Sequence, residues 1–484
     1  MIPFAEFAPD RSDLDPDASD TIRNVIPRSK SYGPFPSFVP LTDALPDAPK
    51  GAILAIDGNS FQIFAGTKEA LYKLDQADLE WEDVSKAATT YAVGDEDAWA
   101  FIQFGNLVVA ADKVDATQKF TLGSSTEFAD LGGPPPKALH LGVIGDFLVH
   151  LNVEASERQM TWSGLNAPEM YTPRKQCSDF QVFPDGGALQ GFAGFERGAV
   201  VFQEKCIREM GLALDSPLIF TFRKTDETRG CVAPRSIVCA GGMVFFLAQE
   251  GFFRYGEPSA PIGTERVDEF FINDCDPAAL YQVQGAADPS RKIVYWRYRS
   301  RGHSNPDTTD RVLIYHYALD RWSIAFVELS WLLQVSSPGY TLDNLDDLGY
   351  TLDSLPFSLD SRMWAAGAPL IGGFDASFRL GFFSGQPLEA VLQTGDVEIN
   401  PGRRTFVSAA RPVVDGGIIT GRMATKSTHT APRVWGGSVA MQETGILPAR
   451  AEGRLHRAEI TIAAGTDWQH AHGLDFEAKA TGRR

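Results

Sequence analysis

Short motifs in this sequence contain residue types that could do chemistry. Residues 421–427, GRMATKS, resemble a phosphate-binding loop, in which backbone N–H groups and a lysine hold phosphate oxygens. The motif lacks the glycine that should precede Lys426, and no strand-to-helix pattern surrounds it. Residues 436–440, GGSVA, lack the final glycine of the turn that presents a nucleophilic serine. We therefore expect neither segment to bind a nucleotide or to attack a substrate.

Two groups of residues have the types that ligate metal ions. His470 and His472 would lie on one face of a β-strand, but no third ligand is near them in the sequence. Asp13, Asp15 and Asp17 have the alternate spacing of a calcium loop, but the glycine and the bidentate glutamate of such a loop are absent. A solvated acidic arm is the simpler interpretation. We expect no metal, no cofactor and no enzymatic activity.

The elements that would position these side chains are β-strands. Residues 51–85 divide into four short apolar runs separated by polar breaks, and the first break, Asp57-Gly58-Asn59, favours a tight hairpin turn. Four strands joined by tight turns form one antiparallel sheet of the size of a propeller blade. One such sheet cannot bury its faces alone, so it needs copies of itself.

The same pattern recurs along the chain. A glycine followed by an apolar run stands at Gly58, Gly105, Gly145, Gly198 and Gly242, at intervals of 47, 40, 53 and 44 residues. This spacing is typical of propeller blades. We predict a mainly β protein with a β-propeller of about seven blades, although six to eight fit the spacing. Aspartate followed by proline at 276–277 also predicts the cap and first turn of a short helix between blades.

Composition divides the chain into three parts. Residues 1–50 are an N-terminal arm, in which aromatic residues among prolines indicate a segment that lies across a surface of this chain or of a neighbouring subunit. Residues 51–395 form the propeller, with an inserted loop at 339–364 that repeats GYTLD and either packs on its own propeller or docks on a partner. Residues 396–484 form a small β platform domain together with the arm.

The charge is distributed unevenly. The whole chain has a formal net charge of −18, which does not favour coating DNA because neutralising phosphates requires Lys and Arg. It suits a surface that nucleic acid must slide past. Residues 396–484 carry twelve Lys and Arg against nine Asp and Glu, a net of +3 that leaves −21 for residues 1–395, and this contrast indicates a contact region. No apolar run approaches membrane-spanning length and no signal-peptide pattern is present, so we expect a soluble protein made in a cytosol.

Several segments resemble those of one protein family. They are NVIPRSKSYGPFPSF at 24–38, TWSGLNAPEMYT at 161–172, the loop at 339–364, FDASFRLGFFSG at 374–385, PGRRTFV at 401–407 and GRLHRAEITIAAGTDWQHAHG at 453–473. Over nearly the whole chain, the sequence resembles tail nozzle or packaged-DNA stabilisation proteins of short-tailed phages.

The resemblance implies a structural virion protein of the phage tail, made in the host cytoplasm. In this family a β-propeller and a platform built partly from the chain ends assemble as a ring of six copies. The ring lies below the portal and adaptor, extends the DNA channel and helps to retain packaged DNA. Tail fibre or needle proteins would be its other partners, and DNA would pass through without specific binding.

The interface expected from this hypothesis is formed by residues 24–38 and 403–484. Cationic or imidazole donors would come from Arg403, Arg404, Arg454, His456 and Arg457. Tyr32, Phe35, Phe38 and Trp468 would supply the anchoring area. Acidic loops of the propeller would line the channel and repel phosphate at short range.

Two other functions are compatible with the sequence. A receptor-binding or fibre-attachment propeller of a phage tail would present the 339–364 loop to the outside. A propeller enzyme acting on glycans would need a deep acidic pocket with convergent arginine or paired carboxylates.

Overall fold

The computed structural model describes residues 1–58, 60–76, 78–195, 197–213, 219–336 and 369–482. The predicted loop at 339–364 lies outside the described residues. Strands account for most of the regular structure, as the sequence predicts.

Seven four-stranded antiparallel sheets follow one another along the chain, and we number them blades 1 to 7. Blade 1 comprises Gly51–Asp57, Ser60–Gly66, Leu71–Leu74 and Trp81–Asp83; blade 2 comprises Ala100–Phe104, Leu107–Ala111, Gln118–Thr121 and Ala129–Asp130. Blade 3 comprises Ala138–Ile144, Phe147–Val153, Ser156–Trp162 and Asp179–Val182; blade 4 comprises Leu189–Gly194, Gly198–Gln203, Ile207–Leu212 and Phe220–Asp226. Blade 5 comprises Val238–Ala240, Met243–Ala248, Gly251–Arg254 and Ala260–Pro261; blade 6 comprises Gln284–Asp288, Ile293–Tyr298, Arg311–His316 and Arg321–Ala325. Blade 7 comprises Trp331–Ser336, Pro369–Phe374, Arg379–Pro387 and, from the N-terminal arm, Pro36–Ala44.

Four of the five recurring glycines of the sequence lie in the turns between first and second strands, whereas Gly198 begins the second strand of blade 4. Gly58, Gly105, Gly145 and Gly242 have φ angles of +61°, +59°, +52° and +77°, a region that L side chains rarely adopt. Each is followed closely by the second strand of its blade, which is enclosed by neighbouring strands and therefore almost wholly apolar. The predicted propeller of about seven blades is confirmed.

The blades pack side by side around an axis. First strands contact one another from blade 1 to blade 4 and from blade 5 to blade 7, and the 3₁₀ helix Pro234–Ser236 contacts both blade 4 and blade 5. Contacts between Trp331–Ser336 and Gly51–Asp57 join blade 7 to blade 1. Aromatic rings fill the spaces between blades: the Phe64 and Phe120 centroids lie 4.9 Å apart between blades 1 and 2, and the Phe252 and Trp296 centroids lie 4.8 Å apart between blades 5 and 6. Burying each of these side chains contributes about 1.5–3 kcal/mol to folding.

The strand Pro36–Ala44 closes the ring. It pairs antiparallel with Arg379–Pro387 at the outer edge of blade 7, so the first and last parts of the propeller sequence share one sheet. Its position as an outermost strand accommodates Pro36 and Pro40, because an edge strand can leave some backbone positions without a donor.

Two further sheets form the platform. The six-stranded sheet contains Leu447–Gly453, Arg404–Val414, Ala471–Gly482, Tyr32–Pro34, Val25–Pro27 and Ile2–Pro3. The five-stranded sheet contains Ala390–Gln393, Leu455–Ile462, Ile419–Lys426, Val434–Trp435 and Val439–Ala440. Glu6–Phe7 and Ala18–Ser19 make a small parallel pair. The predicted platform of C-terminal region and N-terminal arm is thus present.

Helical structure is short. The described residues contain one α-helix, Asp268–Asp274, and the 3₁₀ helices Pro234–Ser236 and Pro277–Gln282. The Asp276 side chain accepts a hydrogen bond from the Ala278 N–H at 3.0 Å, which confirms the predicted cap.

Strand pairing crosses the boundaries that composition suggested. Pro36–Ala44 belongs to blade 7 although it falls in the predicted arm, and Ala390–Gln393 belongs to the platform although it falls in the predicted propeller range. The division into 1–50, 51–395 and 396–484 as separate domains stays a prediction.

No helix in the described part of the chain has the length and apolar character needed to cross a membrane.

Replacing Gly381 by alanine tests the closure of the ring. A Cβ at this position would lie 2.1 Å from the Val39 carbonyl oxygen and 2.6 Å from the Pro40 Cα, so it would force the two strands of blade 7 apart. We expect a loss of about 1–3 kcal/mol in the free energy of unfolding, measured by urea denaturation. Gly302→Ala is the control, because a Cβ there meets nothing within 4 Å. Equal stability of the two variants would contradict this account of the closure.

Candidate platform site

The charged centre of the platform is Asp396, which follows the strand Ala390–Gln393. Its carboxylate lies 2.6 Å from Lys426 Nζ, 2.7 Å from Arg457 Nε and 3.3 Å from Arg433 Nη2. Lys426 and Arg457 are placed by neighbouring antiparallel strands, in which Ala424 pairs with Arg457 and Lys426 with Leu455. The Asp396 side chain is 6% exposed and that of Arg457 only 1% exposed, so one buried carboxylate faces three cations.

The N-terminal arm covers this centre with its own carboxylates. Asp13 lies 3.2 Å from Arg433 Nη2 and 3.8 Å from both Lys426 Nζ and Arg457 Nη2, while its side chain is 63% exposed. Asp20 lies 3.8 Å from Arg457 Nη1. The arm backbone passes so close that a Cβ on Gly395 would lie 1.8 Å from the Pro16 carbonyl oxygen. Charge pairing therefore joins the arm to the C-terminal region.

Two donors in this cluster have no hydrogen-bond partner among the residues that the structure describes. They are Arg457 Nη2 and Arg433 Nε, both buried. The cations determine the ionisation of Asp396: burial alone would raise the pKa of its carboxyl, but the hydrogen bond from Lys426 and the charges of Arg457 and Arg433 lower it overall. Asp396 is therefore a carboxylate at neutral pH.

A hydrogen-bonded chain extends from Arg457 across the platform. Arg457 Nη1 donates to Gln393 Oε1 at 3.4 Å, and Gln393 Nε2 donates to Glu459 Oε2 at 2.6 Å. The Ser19 hydroxyl of the arm donates to Gln393 Oε1 at 3.1 Å. Arg422 Nε pairs with Glu459 Oε1 at 2.6 Å at the other end. These contacts fix the Arg457 guanidinium and connect the arm to one face of the five-stranded sheet, on which Gln393 and Arg422 are both cross-strand partners of Glu459.

The predicted aromatic anchors of the arm pack within this chain. The Tyr32 hydroxyl donates to the Ala5 carbonyl oxygen at 2.8 Å, and burial raises the pKa of Tyr32 to about 12. Phe35 is buried and Phe38 half-buried, with ring centroids 5.2 and 5.4 Å from that of Phe383. These contacts hold the arm against the rest of the same chain, in which Tyr32 and Phe35 are each 1% exposed. Their role at an interface between copies stays a prediction.

Trp468 and His456 are also interior. Both are 1% exposed, and burial lowers the pKa of His456, so its imidazole is not a charged surface donor. Trp468 lines a groove of about 440 Å³ between the arm, the propeller and the C-terminal region, together with Pro27, Pro34 and Arg28. His470 lies at the same junction, where Arg28 Nη1 is 2.9 Å from its Nε2.

Three predicted residues come together at an accessible rim. Arg403 is exposed, and the side chains of Arg404 and Arg454 are each 43% exposed. They lie at the same end of paired strands, because Thr405 is opposite Gly453. Arg454 Nε lies 2.7 Å from Glu398 Oε1, and Arg404 Nε lies 3.9 Å from Glu452 Oε1. We call Arg403, Arg404 and Arg454 the cationic rim.

Several residues of the charged centre escaped the sequence analysis. Lys426 ends the strand Ile419–Lys426, so the GRMATKS segment is not a phosphate loop. Asp13 was considered as a calcium ligand, but it faces cations, and no cluster of three potential metal ligands occurs in the described residues. Asp396 and Arg433 carried no local signal. The excess of basic residues in 396–484 and the predicted interface residue Arg457 pointed to this region.

A second cavity lies on the axis of the propeller. It has a volume of about 360 Å³ and is lined by residues of blades 2, 3, 4 and 7 and of the 3₁₀ helices. Its polar lining includes the carboxylates Glu96, Asp97, Glu157 and Glu204. Arg235 donates from Nη2 to the Glu96 carbonyl oxygen at 2.9 Å, and its guanidinium carbon lies 5.3 Å from the Trp331 ring centroid. Burial lowers the pKa of Arg235 to about 10.

The fold alone does not decide between an enzyme and a non-enzyme.

Removing the Asp396 charge should strongly destabilise the platform. In Asp396→Asn three neighbouring cations lose their buried counter-ion, and we expect a loss of about 3–5 kcal/mol in the free energy of unfolding. Asp17→Asn, an exposed carboxylate of the arm, is the matched control and should change stability by less than about 0.5 kcal/mol. Urea denaturation of both variants measures the difference, and a comparable effect of the two would rule out the proposed role of Asp396.

The same carboxylate predicts a pH dependence. The folded-state pKa of Asp396 lies below its ordinary value of 3.8, so its contribution is present above that value and is lost as the pH falls through the folded pKa. The stability difference between the wild-type protein and Asp396→Asn should therefore shrink in acid. Denaturation curves from neutral pH to below 3.8 test this, and a difference that stays constant would be inconsistent with it.

Comparison with known proteins gives no family assignment. No protein-family model matches the chain, and no curated protein matches it. Among solved structures, it is similar to the computationally designed Ika8 protein, with a TM-score of 0.39, 8% identity and coverage of 79% of this chain and 100% of that one. It is also similar to Kluyveromyces lactis Hsv2, with a TM-score of 0.33, 11% identity and coverage of 62% and 93%. An exo-beta-1,3-galactanase from Phanerochaete chrysosporium has a TM-score of 0.29, 8% identity and coverage of 91% and 100%. These distant likenesses carry no functional argument.

Proposed function

We propose that this protein is a structural, non-enzymatic subunit of a phage tail nozzle. The observation that carries the proposal is the platform, in which both ends of the chain are built into one unit beside a seven-bladed ring. The resemblance of the sequence to nozzle proteins is the reason for assigning this architecture to a phage tail nozzle. The nozzle extends the portal and adaptor channel, retains packaged DNA and lets it pass during ejection.

The charge distribution supports assembly of copies into a ring. The cationic rim belongs to a region of net charge +3, whereas residues 1–395 carry −21. A rim on one copy that meets the acidic surface of the next makes a heterologous contact, and repeated contacts of this kind close into a ring when the rotation permits. Complementary charge steers such an encounter and fixes its orientation. We expect six copies, in accordance with the resemblance.

The acidic body suits passage of DNA without capture. A strongly negative surface repels phosphate over about 8–10 Å at physiological salt, so DNA in a channel between copies is held away from the walls. The platform then contacts neighbouring copies and the adaptor of the tail. The protein resides in the virion tail after synthesis in the host cytoplasm.

The axial cavity favours one second candidate function. Four carboxylates and Arg235 around a cavity of about 360 Å³ are the features that a glycan-acting propeller enzyme requires. Glu157 is already paired with Lys113 at 3.3 Å, which reduces its availability as an acid or base. Incubation with a panel of oligosaccharides distinguishes the candidates. The nozzle proposal expects no turnover, and turnover that is lost in Glu96→Gln or Glu204→Gln would replace it with the enzyme.

Ring formation is the central prediction. The purified full-length chain, mixed with portal and adaptor proteins where needed, should give closed rings in native mass spectrometry and in electron micrographs. Substitution of the cationic rim by glutamine, in Arg403→Gln/Arg404→Gln/Arg454→Gln, should raise the concentration needed for half assembly by about tenfold, because three charge contacts of up to about 1 kcal/mol each are removed.

The control for this experiment removes the same charge elsewhere. Lys175, Arg197 and Lys205 are exposed on blades 3 and 4, and their replacement by glutamine should leave assembly unchanged. A chain that stays monomeric under every assembly condition would overturn the ring proposal. Equal weakening by the two triple variants would show that net charge, and not the cationic rim, governs assembly.

A further inference from the structure

Lys426, Arg433 and Arg457 have the geometry of an anion site that is only partly filled. On the inner side, Asp396 is held by all three cations at 2.6–3.3 Å. On the outer side, Asp13 reaches only Arg433 at hydrogen-bonding distance, at 3.2 Å, and remains at 3.8 Å from the other two cations. The outer carboxylate is therefore much less well held than the inner one.

The unfilled donors point to a larger anion. Arg457 Nη2 is buried, has no hydrogen-bond partner among the described residues, and lies 3.8 Å from Asp13 Oδ1. Arg433 Nε is also without a partner. A buried donor that is left unpaired costs about 1–3 kcal/mol, so a ligand that satisfies both gains that free energy. The Asp13 carboxylate reaches only one of the three cations at hydrogen-bonding distance, whereas a tetrahedral oxyanion offers oxygens in several directions.

The balance between the three cations and the surrounding carboxylates is compatible with an anion that can exchange at the outer side of the cluster. Without the arm, three cations face the single charge of Asp396, which leaves an excess of two positive charges. Asp13 and Asp20 of the arm neutralise this excess, but both are more than half exposed. Removing an exposed carboxylate from an ion pair costs little, because water solvates it well.

We propose that Lys426, Arg433 and Arg457 form a binding site for a small tetrahedral oxyanion of the phosphate class, and that Asp13 occupies this site as a displaceable internal carboxylate. Binding releases Asp13 and loosens residues 12–17 of the arm, while Phe4 and Phe7, both buried, keep the first residues in place. The inference stands independently of the proposed nozzle function. The free anion and a phosphate of a DNA backbone share this chemistry, but Asp20, 3.8 Å from Arg457 Nη1, disfavours a polyanion.

Calorimetric titration of inorganic phosphate into the full-length protein, with ionic strength kept constant by chloride, tests the site. Asp13→Ala removes the internal competitor, and it should lower the phosphate Kd by about tenfold if Asp13 fills the site about 90% of the time. Asp17→Ala, which removes a carboxylate from the same segment outside the cluster, should leave the Kd unchanged. Arg433→Gln should raise the Kd by about tenfold or more, because it removes a charge-assisted donor.

Hydrogen–deuterium exchange provides a second readout that does not depend on the fold of a variant. In the wild-type protein, phosphate should speed exchange of the amides of residues 12–17 and leave the propeller strands unaffected. A thymidine oligonucleotide at the same phosphate concentration should produce no such change. Equal affinity of wild-type, Asp13→Ala and Arg433→Gln proteins would overturn the site, as would unchanged exchange in the arm at saturating phosphate. Binding of the oligonucleotide without binding of inorganic phosphate would overturn the assignment to a free anion.

Discussion

A four-stranded sheet has two faces to bury and no means of burying both by itself, and this constraint organises the molecule. Each blade covers its neighbours, so the last blade must also find the first. The strand Pro36–Ala44 provides that join, because it brings the beginning of the chain to the outer edge of blade 7. The segments before and after the propeller are then neighbours. The platform can be built from both ends of the chain only because the ring returns them to one place.

The platform uses charge where the propeller uses apolar contact. Between blades, aromatic rings such as Phe64 and Phe120 fill the space. Between the arm and the C-terminal region, Asp396 gathers three cations and the arm supplies the outer carboxylates. Buried ion pairs of this kind contribute less to net stability than an apolar core of equal volume, but they fix which segments meet. The packing between blades is thus mainly apolar. The attachment of the outer arm rests on ion pairs, so its strength depends on salt and on competing anions.

Some features of the fold and of the platform site could be predicted from the sequence, and others could not. The blades could be predicted because the second strand of each blade is enclosed, so glycine turns such as Gly105 and Gly145 are followed by continuous apolar runs. The closing strand could not, since Pro36 and Pro40 hide its strand character. The aromatic residues of the arm correctly indicated a surface contact, but sequence does not tell whose surface is covered. Likewise, Asp13 and Arg433 stand 420 positions apart, and no local pattern records that they meet.

The closing strand has a consequence for how the protein is synthesised. Residues 36–44 leave the ribosome first, but their partner strand ends at residue 387, so the segment waits on the order of tens of seconds for a partner at ordinary translation rates. An unpaired strand exposed for that time is a template for joining other nascent chains. Pro36 and Pro40 carry no backbone N–H and cannot donate to such a neighbour. The prolines that obscure the strand in the sequence therefore also protect the nascent chain from premature pairing.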